Sequence, residues 1–139
     1  MPFLFDTDAI SELLRPKPAA GFVRWVRAVP REEQFVSAIT VGELYQGAYA
    51  SPATERHLEN IETRVLPAVT VLPFDAAVAK TFGRLRAELY AAGKPLEDAD
   101  LQIASTALYH GLTLVTGNLK HFQRVSDLEL STALQDARK

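Results

Sequence analysis

Short apolar segments alternate with longer amphipathic segments along this chain. The apolar segments are FLF (3–5), QFVSA (34–38), VTVL (69–72), LTLVT (112–116) and the shorter LEL (128–130). Continuous apolar runs of this length are typical of strands that are buried on both faces, as in parallel sheets. The pattern therefore predicts four short strands, with a fifth in LEL.

The amphipathic segments predict helices, whose ends are marked by capping residues, Gly and Pro. They cover 9–14, 20–29, 40–50, 54–65 and 75–92, and a further helix runs from the acids near 98 to Gly111. Strands that alternate with helices predict an α/β fold with a short, mostly parallel sheet and helices on both faces. We expect one domain over residues 1–139, with its site at the carboxyl ends of the strands.

Composition narrows the classes of function. The chain contains no cysteine, which excludes disulfides, thiol catalysis and zinc–thiolate sites. Its three histidines are scattered without the spacing of a zinc site. The N-terminal sequence shows no signal peptide, and no apolar run approaches the ~20 residues of a membrane helix. We therefore expect a cytoplasmic protein that does not contact a membrane.

Positive charge is concentrated in one segment, although the formal net charge of the chain is −2. Residues 15–31 include no acid and carry four arginines, Arg15, Arg24, Arg27 and Arg31. The last three are spaced i, i+3 and i+7, on one helix face. This face is either solvated or a contact for phosphate groups, and the spacing is compatible with both.

Two aspartates follow the first predicted strand. Asp6 comes directly after FLF, at the carboxyl end of a buried strand, and Asp8 lies two residues later. Asp8 directly precedes Ala9 and Ile10, so we expect it to cap the next helix. Asp6 is then left without a structural task, which favours a role in the functional site.

Glu43 has a structural and a functional interpretation. Thr40 and Glu43 have the Thr-x-x-Glu spacing of a capping box, which predicts a helix start at Thr40. Gly47 and Ala50 lie on the same helical side as Glu43 and leave room around its carboxylate. The residues alone leave both interpretations open.

A cluster of three acids, Glu97, Asp98 and Asp100, opens the helix that follows Pro95. The helical neighbours of Asp98 are mostly polar, which predicts a surface position or the N-cap. The neighbours of Asp100 are all apolar, so we expect its carboxylate to face the core. A lone buried carboxylate is costly unless it is paired or binds a metal, and both an arginine partner and a cation remain open.

Asn118 follows the fourth predicted strand within the turn-forming sequence TGN, again at a carboxyl end. Its side-chain oxygen can ligate a hard cation or orient water. If Asp6, Glu43 and Asp100 converge, two carboxylates ~4 Å apart repel by roughly 4 kcal/mol at an effective dielectric near 20. A raised pKa or a bound Mg²⁺ or Mn²⁺ ion would relieve this repulsion, and such ions support phosphodiester or phosphate-ester chemistry.

Four motifs, FLFDTDAISELLRP, SAITVGELYQGA, DADLQIASTAL and LTLVTGNLKHF, resemble in their order the PIN-domain ribonucleases of the VapC type, including the FitB branch. The resemblance covers nearly the whole chain, and the DxxIAxxA pattern around Asp100 makes it specific. The family's acids fall on Asp6, Glu43 and Asp100, which the resemblance implies are catalytic residues and metal ligands. A fourth acidic position falls on Asn118, which keeps an oxygen ligand but loses a charge, so the number of metals stays open.

The resemblance implies a Mg²⁺- or Mn²⁺-dependent endoribonuclease that acts as the toxin of a toxin–antitoxin pair. The three acids would hold the metal and a water that attacks an RNA phosphodiester, with Asn118 as a further catalytic residue. Thr116, Asp98 and Asp8 would support them, and the four arginines would contact RNA or the antitoxin. Family members are usually homodimers inhibited by a small, VapB-like DNA-binding antitoxin, so we expect contact with DNA only through that partner.

Two other interpretations remain. A FitB-like chain would join an antitoxin in a DNA-bound complex and have little nuclease activity. FLFDTDAI also resembles the first motif of haloacid-dehalogenase-type phosphatases, in which Asp6 would be a nucleophile and Asp8 an acid or base. Against this, that family places its late acidic motif after the strand that ends here at Thr116, whereas the acids of this chain come before it.

Overall fold

A five-stranded parallel sheet forms the middle layer of the protein in a computed structural model, which describes residues 2–139. The strands are β1 (Phe3–Phe5), β2 (Gln34–Ser37), β3 (Thr70–Leu72), β4 (Thr113–Val115) and β5 (Leu130–Ser131). Their order across the sheet is β3-β2-β1-β4-β5, and each neighbouring pair is parallel. The predicted α/β fold is therefore confirmed.

Helices cover both faces of this sheet. They are α1 (Thr7–Leu14), α2 (Ala20–Ala28), α3 (Ala38–Ala50), α4 (Thr54–Asn60), α5 (Ala76–Ala91), α6 (Asp98–His110), α7 (Leu119–Phe122) and α8 (Ala133–Ala137). A π-helical turn (Ile61–Val65) continues α4. The short helices α7 and α8 were not predicted from the sequence. Within residues 2–139, no helix has both the length and the apolar character needed to cross a bilayer.

The strands supply two separate hydrophobic cores, because successive side chains of a strand point to opposite faces. Leu4 of β1 and Leu114 of β4 belong to the core that includes residues of α5 and α6. Phe5 and Val115, one residue further along each strand, belong to the core formed with α1, α2, α3 and α8. Burial on both faces explains why the strands read as continuous apolar runs.

The order of the strands places a crevice between β1 and β4. The chain moves outward from β1 to β2 and β3, and then crosses to the other side of β1 to form β4 and β5. In parallel sheets, ligand sites form at such a reversal, beyond the carboxyl ends of the strands. Asp6 and Thr116 follow β1 and β4 directly, so both lie at this crevice.

The start of α1 corrects one prediction about the two aspartates. The N-cap is Asp6, whose Oδ1 accepts a hydrogen bond from the backbone N–H of Ala9 at 2.8 Å. The prediction that Asp8 caps this helix is wrong. The helix begins at Thr7, only two residues after β1 ends at Phe5, so Asp8 already lies within it. Asp6 thus combines a structural role with its place at the crevice.

The start of α3 corrects the predicted capping box. This helix begins at Ala38, and its N-cap is Ser37, whose hydroxyl accepts a hydrogen bond from the backbone N–H of Ile39 at 3.0 Å. Thr40 is already inside the helix, so the prediction that Thr40 and Glu43 form a capping box is wrong. Glu43 is consequently not engaged in capping.

Two smaller predictions also need correction. The N-cap of α6 is Glu97, which makes no side-chain capping bond, whereas Asp98 is the first helical residue. The alternative prediction for Asp98, a surface position, is confirmed: its side chain is 61% exposed and lies 3.0 Å from Nε of Arg86. The last strand occupies Leu130–Ser131, at the end of the predicted LEL segment and one residue beyond it.

Candidate active site

Asp6 is a buried carboxylate that has no cationic partner within residues 2–139. It is 5% exposed, caps α1 and also receives a hydrogen bond from the side chain of Thr116. Burial raises the pKa of Asp6 to about 7; the charges of Asp8 and Asp100 add to this, whereas the bonds from Thr116 and Ala9 oppose it. A carboxyl whose pKa is raised this far is typical of functional sites.

Asp100 lies in the first turn of α6, at the rim of the same crevice. Its side chain is 32% exposed, so it faces the crevice from a half-buried position. Burial raises the pKa of Asp100, and the charges of Glu43 and Glu97 raise it further, whereas His121 opposes them. Nδ1 of His121 is 3.6 Å from Oδ2 of Asp100. Among the described residues, no arginine neutralises this carboxylate, so the alternative of an arginine partner is not realised.

Glu43 is held by a residue that sequence reasoning missed. The hydroxyl of Thr7 lies 2.6 Å from Oε1 of Glu43 and 3.1 Å from the hydroxyl of Thr40. A carboxylate can only accept, so the Thr7 hydroxyl donates its single proton to Glu43. The contact between the two hydroxyls is then a hydrogen bond that Thr40 donates to Thr7. Thr7 lies between the two aspartates of the DTD sequence, which was the only available signal for its role.

Three acids thus meet at one crevice: Asp6 at the N-cap of α1, Glu43 on α3 and Asp100 on α6. The charge of Asp100 raises the pKa of Asp6, and the charge of Glu43 raises the pKa of Asp100. Over residues 2–139, however, no group of three or more His, Asp or Glu side chains forms a ready-made metal cluster. The assignment of these acids as metal ligands stays a prediction.

Asn118 and Thr116 connect the end of β4 to this site. The backbone N–H of Asn118 donates to the hydroxyl of Thr116 at 2.9 Å, and that side chain in turn bonds Asp6. The side-chain nitrogen of Asn118 lies 2.9 Å from Nδ1 of His121. The predicted site residue Asn118 therefore reaches Asp100 through His121, a residue that no local pattern had singled out.

Asp8 belongs to an ion-pair cluster at the edge of the site. Both guanidinium Nη atoms of Arg138 lie 2.9 Å from its carboxylate oxygens, and Nε of Arg138 donates to Glu12 at 3.0 Å. Glu12 is buried and also accepts the backbone N–H of Ala19 at 3.0 Å. A Cβ on Gly117 would collide with Arg138 and Asp8, so the TGN turn packs directly on this cluster. We name Asp8, Glu12 and Arg138 the Arg138 clamp.

The four arginines from the basic segment do not form one surface. Arg24 and Arg27 are exposed on α2. Arg31 donates from Nε to the carbonyl of Pro67 at 3.0 Å, near the start of β3 and therefore at the amino ends of the strands. Arg15 is 64% exposed, lies 3.4 Å from Glu12 and borders a cavity that includes Glu43. Only Arg15 is thus placed next to the acids.

The chemistry of the three acids suits a hard divalent cation, although their side chains are not grouped as a metal cluster in the described part of the chain. Asp6, Glu43 and Asp100 offer carboxylate oxygens, which Mg²⁺ and Mn²⁺ prefer. Burial is the main cause of the raised pKa values of Asp6 and Asp100, and the charges of neighbouring acids add to it. A cation would relieve this repulsion.

Comparison with known proteins places this chain in a family. A model of the PIN domain matches residues 3–128. "VapC ribonuclease Y4jK" of Sinorhizobium fredii is 37% identical over 125 residues, which cover 86% of this chain and 89% of that protein. This chain belongs to the VapC family of PIN-domain proteins. A further relative, "tRNA(fMet)-specific endonuclease VapC" of Shigella flexneri, is 37% identical to this PIN-domain protein and covers 92% of it, with 95% of its own length matched.

Several solved structures with the same fold are toxin–antitoxin complexes. FitAcB from Neisseria gonorrhoeae matches with a TM-score of 0.85 and 34% identity, over 92% of this PIN-domain protein and 95% of that chain. VapBC2 from Rickettsia felis, bound to a DNA fragment from its promoter, matches with a TM-score of 0.87 and 26% identity, over 94% and 98%. Family membership rules against the phosphatase interpretation.

Proposed function

We propose that this PIN-domain protein is a Mg²⁺- or Mn²⁺-dependent endoribonuclease that acts as the toxin of a toxin–antitoxin pair. The observation that supports it most is the meeting of Asp6, Glu43 and Asp100 at the reversal between β1 and β4. Asp6 and Asp100 have raised pKa values, and no lysine or arginine among the described residues pairs with either of them. The names of the curated relatives, which include ribonucleases and an endonuclease, support the same activity.

In this proposal a bound divalent cation would neutralise phosphate charge and lower the pKa of the attacking water. The acids of the chain would hold the cation and orient the water toward the phosphodiester. Asp6 would be kept in place by Ala9 and Thr116, and Glu43 by the hydroxyl of Thr7. Their fixed orientation would hold the reactants in line, which is a large part of catalysis in phosphoryl transfer.

Asn118 would support the site from the end of β4. Its amide and the ring of His121 are in contact, and His121 faces Asp100. Asn118 has no charge to offer a second cation, which favours a site with one tightly held ion.

The partners follow from the structural neighbours. Several of these are complexes of a toxin with its antitoxin, and some are bound to DNA. We propose that a small VapB-like antitoxin inhibits this chain, that the antitoxin makes the contact with DNA, and that the chain forms a homodimer.

Expression without a partner tests the function. Wild type is expected to arrest growth and to degrade RNA in the cell, whereas Asp100→Asn is expected to be harmless at equal protein level. Asp98→Asn is the matched control, because this exposed acid lies two residues away and pairs with Arg86; it should remain toxic. Equal toxicity of wild type and Asp100→Asn, or harmless wild type, would count against a nuclease and favour a FitB-like role in a DNA-bound complex.

A further inference from the structure

A groove continues from the acidic site between α1 and α4. It begins in a cavity of about 390 Å³ that Thr7 and Glu43 border. It continues in a cavity of about 370 Å³ that Arg56 and Arg64 border. The two cavities are joined by the residues that line both of them: Leu14, Arg15, Pro16 and His57. We name this feature the α1–α4 groove.

Away from Glu43, the charged residues that line the α1–α4 groove are all positive. Three arginines, Arg15, Arg56 and Arg64, border it together with His57. Among the described residues that line it, the only acid is Glu43, at the end where the groove meets the site. A cleft lined by one sign of charge attracts a ligand of the opposite sign.

Two arginines of the second cavity, Arg56 and Arg64, remain available for a ligand. Arg56, Asn60 and Arg64 are spaced i, i+4 and i+8, so they lie on one side of α4 and its π-helical continuation. Arg56 is exposed and forms no ion pair within residues 2–139. Arg64 donates one Nη2 contact to the carbonyl of Leu13 at 3.3 Å, which leaves the rest of its guanidinium group free to bind.

Much of the first cavity of the groove is lined by apolar side chains. Leu14, Leu44, Ala48 and Ile61 border the first cavity. An apolar surface flanked by guanidinium groups suits a single nucleic-acid strand, in which bases contact apolar side chains and phosphates contact arginine.

We propose that the α1–α4 groove binds the RNA strand next to the cleaved bond, with Arg56 and Arg64 on its phosphates and Arg15 closest to the acids. This inference rests on the proposed function, because the groove leads directly to Glu43, where the cleaved phosphate would lie. The sequence-based expectation named Arg15, Arg24, Arg27 and Arg31 as contacts for RNA or the antitoxin, and of these only Arg15 lines the groove. Arg31 is instead engaged with backbone carbonyls at the amino ends of the strands.

Charge reversal at single residues tests the groove. Arg56→Glu is compared with Lys80→Glu, which makes the same change of charge at an exposed residue of α5, on the other face of the sheet. Both are made in an Asp100→Asn background, so that binding of a labelled single-stranded RNA oligonucleotide is measured without cleavage, by fluorescence anisotropy at several salt concentrations. Arg56→Ala is measured alongside, and thermal unfolding checks that each variant folds.

Arg56→Glu is expected to raise the Kd at least tenfold and to lower the slope of log K against log salt by about 0.7 for each lost phosphate contact. Arg56→Ala should change the Kd and the slope in the same direction but by less. Lys80→Glu should leave the Kd within threefold of that of the Asp100→Asn parent. Equal effects of Arg56→Glu and Lys80→Glu would overturn the inference. The inference would also be overturned if only Arg27→Glu lost RNA binding, or if Arg56→Glu lost antitoxin binding but kept RNA binding.

These outcomes separate the inference from the proposed function. A chain that cleaves RNA but binds it equally well with Arg56→Glu contradicts the groove alone. A chain that neither binds nor cleaves RNA contradicts both.

Discussion

The acids of the site are held by different neighbours, and these neighbours determine how each acid behaves. Asp6 is fixed by the N–H of Ala9 and the hydroxyl of Thr116, yet burial outweighs both bonds and raises its pKa to about 7. Glu43 receives a hydrogen bond from the hydroxyl of Thr7. Asp100 is half-buried and faces His121. Asp6 is therefore the acid whose proton competes most directly with a cation near neutral pH.

Asp6 is expected to destabilise the metal-free protein as the pH rises. The folded carboxyl keeps its proton up to about pH 7, whereas the unfolded one loses it near the ordinary value of 3.8. The folded state thus binds more protons between pH 4 and 7, and the free energy of unfolding falls through that window, by about 2–4 kcal/mol from this group. Above pH 7 both states are ionised and the contribution is constant.

Urea unfolding of wild type and Asp6→Asn in EDTA, from pH 4 to 8, measures this effect. The difference between the two proteins isolates Asp6, since other titrating groups are shared. Asp6→Asn should gain stability relative to wild type as the pH rises through the window. Parallel pH profiles would show that the pKa of Asp6 is not raised.

At the scale of elements, the Arg138 clamp joins the end of the chain to the site. Arg138 follows α8, Asp8 and Glu12 lie on α1, and Gly117 lies in the turn after β4. The clamp therefore holds together the elements that carry Asp6 and Asn118. Sequence reasoning missed it because Arg138 and Glu12 are 126 residues apart, and nothing local marks such a pair.

Arg138→Ala is expected to lower the free energy of unfolding by about 2 kcal/mol, because buried Glu12 loses its main cationic partner. Lys139→Ala is the matched control: this adjacent residue forms an exposed pair with Asp136 at 3.5 Å, worth less than about 1 kcal/mol. Urea unfolding with an unchanged m-value reports both. If the two variants lose the same stability, the clamp has no special role.

At the scale of the whole molecule, the sequence predicted the sheet and the acids better than the contacts around them. The helical neighbours of Asp100 and the place of Asp6 after a buried run depend on local pattern, which a sequence shows directly. The N-caps were misassigned because residues with similar capping tendency, Ser37 and Thr40, stand close together, and only the end of the strand decides between them. His121 was missed because its contact with Asp100 depends on how α7 packs against α6.

The central claim is that the carboxylates form a metal-dependent site for RNA cleavage. It is tested most directly by incubating purified wild type and Asp100→Asn with RNA in Mg²⁺ or Mn²⁺, and in EDTA. The account predicts specific cleavage products for wild type with the cation, none in EDTA, and a rate at least about 100-fold lower for folded Asp100→Asn, equivalent to about 2.7 kcal/mol of transition-state stabilisation. Cleavage that persists in EDTA, or that is equally fast with Asp100→Asn, would contradict it.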